Sequence, residues 1–185
     1  MHPVFKNALI GTAALLLVTS SSAVAQIGLT SNVATVALTA TKSPTLTVSA
    51  NVATATLASI TDNSNANNFT PVSLTTAWNL TAGSSVSLIG WFATPAQALA
   101  NGTDLIPSSK VEGRVNAAGF SPFTSAAVGG VGVAGGSLQF FSQSVSAGSY
   151  FGSRNDQLDL RLNLAGTTTM AGDYTGTLNL QAVVQ

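Results

Sequence analysis

Apolar and polar positions alternate along most of this chain with a period of two. The last stretch shows the pattern well. From Tyr174 the even positions read Tyr174, Gly176, Leu178, Leu180, Ala182 and Val184, while the odd positions Thr175, Thr177, Asn179 and Gln181 are polar. A period of two marks a strand with one buried face. It predicts that this stretch, after a turn at Gly172 and Asp173, closes an antiparallel sheet. Residues 156–164 alternate more cleanly still. Leu158, Leu160, Leu162 and Leu164 fall on one side and Asp159, Arg161 and Asn163 on the other. The matching apolar faces make these two stretches the expected hairpin.

The same reading runs through the rest of the chain. Residues 27–41 are rich in Val, Thr and Ala and strand-like, with a phase slip near Ala34 that implies a bulge or a break. After a turn at 42–44, residues 45–50 and 52–60 predict two short strands, or one strand crossing between sheets. Residues 61–68 are a polar loop. Residues 71–80 are a strand with Val72, Leu74, Thr76, Trp78 and Leu80 on one face, joined by a hairpin connection at 81–85 to the next. That next strand carries Val86, Leu88 and Phe92 on one face and Ile89 and Trp91 on the other, so it is covered on both sides. Thr94 and Pro95 ahead of Ala96, Gln97, Ala98 and Leu99 supply a cap, a first-turn proline and helix formers, which predicts one short helical turn. Residues 110–116 and 120–124 form a small hairpin. Residues 128–136 are glycine-rich and read as a mobile loop. Residues 137–146 are a strand with Leu138 and Phe140 on one face and Phe141 on the other, and 148–155 a connector. The sum is an all-β fold: an antiparallel β-sandwich of about 8–10 strands with one short helical turn.

The beginning of the chain breaks this pattern. Lys6 precedes an uncharged, mostly apolar run at 8–18, and small residues follow up to Ala23-Val24-Ala25. These are the parts of a secretory signal peptide spanning 1–25, and the apolar run is short for a membrane span. The expectation is a single domain at 26–185, exported to the periplasm, the cell surface or the medium, with no membrane attachment after cleavage. Charged residues make up 6% of the chain, against the usual quarter. Beyond residue 25 stand five cations, Lys42, Lys110, Arg114, Arg154 and Arg161, and six carboxylates. No basic patch results, which argues against nucleic acid as a partner. A surface this poor in charge repels copies of itself weakly.

The chemistry available is narrow. There is no Cys, and the one His is His2, inside the predicted signal. Nucleophilic catalysis with a His base and zinc or copper sites built on His or Cys therefore fall away. Ser108-Ser109-Lys110 lacks the S-x-x-K spacing of a Ser–Lys pair. A glycosidase-type carboxylate pair would draw on Asp156, Asp159 and Asp173, which sit at a strand start, on a solvent face and in a turn, ordinary places for Asp. The 62–68 loop is rich in oxygen donors, as calcium prefers. Ala66, however, falls where a ligand is needed, so a solvated loop is the expectation. No enzyme activity, metal or cofactor is expected. Trp78 lies on an apolar face and reads as core. Trp91, out of phase with its neighbours, and the loop residues Asp62, Asn63 and Asn65 are the candidates for surface or ligand contact.

Residues 75–83 (TTAWNLTAG), 91–99 (WFATPAQAL), 106–109 (IPSS) and 171–182 (AGDYTGTLNLQA) resemble a group of small secreted bacterial β-sandwich proteins with immunoglobulin-like or pilin-like folds. The closing motif is also similar to the last strand of pilin-type and WxL-type surface domains. The resemblance implies an exported surface or matrix protein and supplies no catalytic residue. The expected function is structural: a fimbria-like subunit whose partner is itself or another surface component. Residues 26–41 either pair with the sheet edge of a neighbouring copy or fold back as the first strand of their own sandwich. The alternative function is an extracellular carbohydrate- or surface-binding module.

Overall fold

A computed structural model describes residues 34–185 of the chain. The chain divides into two units, Met1–Thr41 and Lys42–Gln185. The predicted signal at 1–25 and the strand-like residues 27–33 lie outside the described residues. Residues 34–41, all that is described of the first unit, are exposed and form no strand.

The second unit is all-β, with antiparallel pairing throughout. Its strands are β1 (Thr45–Ala50), β2 (Asn67–Asn68), β3 (Val72–Asn79), β4 (Ser85–Trp91), β5 (Leu99–Asn101), β6 (Asp104–Ile106), β7 (Val111–Val115), β8 (Ser121–Pro122), β9 (Ser137–Ser144), β10 (Phe151–Leu162) and β11 (Asn179–Val184). One sheet runs β1-β3-β10-β7-β8, with β2 also paired to β10; a second runs β11-β4-β9; β5 and β6 form a separate ribbon. Leucines of the first sheet (Leu74, Leu158, Leu160, Leu162) and Leu88 and Leu138 of the second share one buried cluster. Removing each such side chain from water contributes about 1.5–3 kcal/mol.

Consecutive strands tend to switch sheets, and this overturns two expected hairpins. The 81–85 connection carries the chain from β3 in the first sheet to β4 in the second. The closing strand β11 pairs with β4, Leu180 opposite Gly90 and Val184 opposite Val86, and not with β10. A buried alternation shows which side of a strand faces inward, and both sheets face the same interior, so β10 and β11 look like partners when they sit in opposite layers. The β7–β8 hairpin is formed as expected, with Glu112 opposite Pro122. β10 starts at Phe151, inside the expected connector, because Phe151 and Gly152 pair with Asn79 and Trp78 of β3.

Residues 52–60 were expected as a strand and are irregular. Ala55, Leu57 and Ile60 pack on the core, but the backbone touches the neighbouring chain at one place, where Thr70 N donates to Thr56 O (2.8 Å) and Thr70 Oγ1 accepts from Thr56 N (2.9 Å). The predicted helical turn at 94–99 is also replaced. Thr94 and Gln97 close a single turn (Gln97 N to Thr94 O, 2.9 Å), and the chain then enters the β5–β6 ribbon, with Ala98 N donating to Ile106 O (2.9 Å). Pairing with β6 outweighs a local helix preference worth a few tenths of a kcal/mol per residue, roughly. The helical element that does form is a 3-10 turn at Ser108–Lys110.

A bulge in β9 corrects the reading of its two phenylalanines. Leu88 pairs with Phe141 and Ile89 with Gln139, so Phe140 is the extra residue. Phe140 thereby reaches Phe123, with ring centres 5.9 Å apart, while Phe141 still packs on the core. Phe123 is fully buried and edge-on to Phe92 on its other side, at 5.1 Å.

Candidate functional site

Two irregular segments, 54–60 and 169–176, form the walls of a cleft of about 640 Å³ with Phe69, Leu99 and Leu162 among its lining. Residues 54–60 continue from β1, the edge strand of the first sheet. Residues 169–176 lead into β11, the edge strand of the second. The cleft thus opens where the two sheet edges lose their regular pairing, and its apolar lining includes the core residue Leu162.

The wall at 169–176 is held by two carboxylates. Asp62 Oδ1 accepts from Thr169 N (2.9 Å) and Thr169 Oγ1 (2.8 Å). Asp104 Oδ2 accepts from Met170 N (2.7 Å) and from the Tyr174 hydroxyl. Tyr174 Oη also donates to Met170 O, at 3.0 Å. The Tyr174 hydroxyl, and after it the Met170 N–H, hold the Asp104 carboxyl below the usual carboxylate range. Desolvation, followed by the bond to Asp104, pushes the Tyr174 phenol up. The ribbon adds a third tie, since Ala100 and Thr175 exchange backbone bonds of 2.9 and 3.1 Å.

Elsewhere the wall backbones are bare. Among the described residues, the N–H groups of Leu57, Ala58 and Ser59 on one side and of Asp173 and Tyr174 on the other donate to no protein oxygen. The lining includes Asp62 and Asp173 and no Lys or Arg. The chemistry offered is therefore an apolar floor, hydroxyls of Thr54, Thr56 and Ser59, two carboxylates and unpaired main chain.

The four residues singled out from sequence do not converge. Asp62 lines the cleft, where it holds Thr169. Asn63 occupies the left-handed region (φ 55°) in the adjoining turn, where Asn is tolerated, and its N–H donates to Thr167 O (3.1 Å). Asn65 is exposed on the loop. Trp91 ends β4, half-buried, with its carbonyl accepting from Asn179 Nδ2 (3.3 Å), and does not line the cleft. Trp78 is buried, and its indole N–H donates to Ser149 O (3.0 Å).

Sequence reasoning passed over the residues that shape this region. Asn67 is buried and staples the 61–68 loop: Thr61 N donates to its Oδ1 (2.6 Å), while its Nδ2 donates to Thr61 O (3.0 Å) and Ser64 O (3.2 Å). The Asp104–Tyr174 contact joins residues 70 apart, which no local pattern announces. On the outer face of the first sheet, Asp159 pairs with Arg114 (3.0 Å) and Glu112 with Arg161 (2.6 Å). Both guanidiniums stack on Phe120, at 4.4 and 4.2 Å. The glycine-rich segment 128–136 was expected to be a mobile loop. It is bonded at several points: Val128 and Val131 bridge each other, Gly135 N donates to Ser125 O (3.0 Å), and Ser137 Oγ both accepts from Val133 N (2.8 Å) and donates to Val133 O (2.7 Å). Its glycines supply positive φ and close approach rather than slack.

In comparison with known proteins, no family profile matches this chain and no curated protein is similar to it.

Proposed function

We propose that this chain is an exported, non-catalytic β-sandwich of immunoglobulin-like type. It serves as a surface or matrix subunit and associates with further copies of itself by β-strand addition. The observation that carries the reading is the state of residues 34–41. Ala34, Val36, Leu38 and Ala40 alternate with Thr35, Ala37, Thr39 and Thr41, so the larger apolar side chains fall on one face and the threonines on the other, the pattern of a strand with one buried face. Yet Val36 is 80% and Leu38 90% exposed, and no strand pairs with them among the described residues. A strand-patterned segment with its apolar side in water gains by joining a sheet edge. The second unit offers such edges at β1 and β8 of one sheet and at β11 and β9 of the other. The scarcity of charge supports the same reading, since copies approach one another at little electrostatic cost.

The carbohydrate-binding reading draws on Trp91 and the loops at 62–68 and 128–136, and of these Asp62 lines the cleft while Trp91 does not. The deciding experiment is light scattering and negative-stain imaging of the exported protein, wild type and Val36→Asp/Leu38→Asp. Oligomers or fibres are expected for the wild type, and monomers with an unchanged circular dichroism spectrum for the variant. A wild-type protein that stays monomeric at high concentration sinks the proposal.

A further inference from the structure

We infer that the acceptor in this association is the cleft between 54–60 and 169–176, and that its occupant is residues 34–41 of a second copy, inserted as an extended strand. The inference rests on the strand-addition reading above and names its site.

Three observations converge on it. First, the cleft presents what an extended chain needs on both flanks. The wall N–H groups of Leu57, Ala58, Ser59, Asp173 and Tyr174 have no partner among the described residues, and unpaired main chain beside an apolar floor is the recognition surface of strand addition. Second, donor and acceptor match in length and character. The 54–60 wall is seven residues long and the donor eight. The donor's inward set, Ala34, Val36, Leu38 and Ala40, is apolar and small, as a floor of Phe69, Leu99 and Leu162 requires. The donor carries no charge, so Asp62 and Asp173 at the walls meet no buried like charge. Third, chain length favours a second copy over the same one. Three residues, 42–44, join Thr41 to β1, a reach of at most about 14 Å. Thr45 stands opposite Asn79, whereas Thr56 bonds Thr70. The nine-residue offset along β3 and its approach is about 30 Å at strand spacing. Thr41 of the same chain, tied within that reach of Thr45, therefore cannot stand beside Thr56, whereas Thr41 of a second copy is under no such limit.

The exposed edge of β1, the strand nearest the donor in the chain, is a competing acceptor, and the experiment separates it from the cleft. The chain has no Cys, so introduced pairs report cleanly. Thr39, Ala58 and Thr47 are all exposed, and changing them disturbs no core. The full chain is exported carrying Thr39→Cys/Ala58→Cys (donor and cleft) or Thr39→Cys/Thr47→Cys (donor and β1 edge), is mildly oxidised, and is resolved without reductant beside each single variant. The expected result is a ladder of interchain-linked species for the cleft pair, well above every single variant and above the edge pair. A ladder from the edge pair alone overturns the cleft as acceptor and leaves strand addition standing. An intrachain link in the cleft pair overturns the second copy as donor. Unlinked monomers in all variants, together with monomeric wild type in light scattering, overturn both inferences.

Discussion

Arg154 grips Asp156 from two residues away on the same strand, with Nε to Oδ2 at 2.6 Å and Nη2 to Oδ1 at 2.7 Å. The even positions of β10 face the core, so the pair points into the layer between the sheets, on the face that continues as Leu158, Leu160 and Leu162. Asn116 Nδ2 adds a bond to Asp156 Oδ1 (2.7 Å), and the Arg154 guanidinium stacks on Phe141 at 3.9 Å. Thr76, opposite Arg154 in register, is buried, and its hydroxyl has no partner among the described residues. The polar group stands between the main apolar cluster and the smaller one of Trp78, Val86 and Val145.

The first prediction concerns this pair. Asp156 is almost fully buried, so removing its cation leaves a charge that water cannot reach. Arg154→Met should cost about 3 kcal/mol in urea unfolding. The double variant Arg154→Met/Asp156→Leu removes both charges and should recover most of that loss, because an apolar pair of similar volume stabilises about as well. A double variant as unstable as Arg154→Met would mean that the two side chains matter for shape rather than for pairing.

The second prediction follows from the Asp104–Tyr174 contact. A carboxyl held below its ordinary range stabilises the fold above that range and loses this effect as pH falls below about 4. A phenol pushed up stabilises below its ordinary value and loses the effect as pH rises past about 10. The 169–176 wall should therefore be best held between these limits. In Tyr174→Phe, the Asp104 titration followed by carboxyl NMR should move up toward the ordinary value, and amide exchange at Met170 should quicken. An unchanged Asp104 titration would show that the hydroxyl contributes nothing to it.

Much of the fold was legible in the sequence, for a physical reason that also sets the limit. Burial imposes a period of two, so the inward faces of β3 and β10 follow directly from Val72, Leu74 and Trp78 and from Leu158, Leu160 and Leu162. Periodicity is silent about which layer a strand joins, so β11 was paired with β10 instead of β4. It also fails where one residue is inserted, as at Phe140, and where a local preference yields to pairing, as at residues 94–99. The cleft was the least legible part. Its walls are the two stretches, 54–60 and 169–176, where the alternation leads to no strand, and Asp62 was the one candidate residue that reached it.

The third prediction tests the bulge. A side chain at Gly90 or Gly113 would put its first carbon 2.7 or 2.9 Å from the Phe140 ring and 3.2 Å from Phe123. These glycines, one from each sheet, make room for the ring that the bulge turns inward. Gly113→Ala should destabilise by about 1–3 kcal/mol. Combining it with Phe140→Leu should restore part of that loss, since the offending ring is gone. Additive losses in the double variant would place the strain elsewhere than at Phe140.

The last prediction separates close approach from slack in the glycine-rich segment. Gly129 sits over Val183, with a would-be side-chain carbon 3.0 Å from Val183 Cγ2, and Gly132 faces the Ser137 hydroxyl. Val183 stands opposite Ser87 in register, and Ser137 opposite Trp91. Odd residues of β4 point away from the shared core, so the segment lies over the outer face of the second sheet, consistent with Ser87 and Ile89 being fully buried in its central strand. Gly132 also has a φ of 102°, which an L side chain rarely adopts. Gly132→Ala should therefore cost more than about 1 kcal/mol through strain and speed amide exchange at Val133, whose N–H is held by Ser137 Oγ. Gly130→Ala shares the positive φ, at 80°, but meets no atom within 4 Å. It should show the backbone cost alone, with exchange at Val133 unchanged. Equal effects at the two positions would reduce the segment to a turn-forming linker and remove the covering role assigned to it.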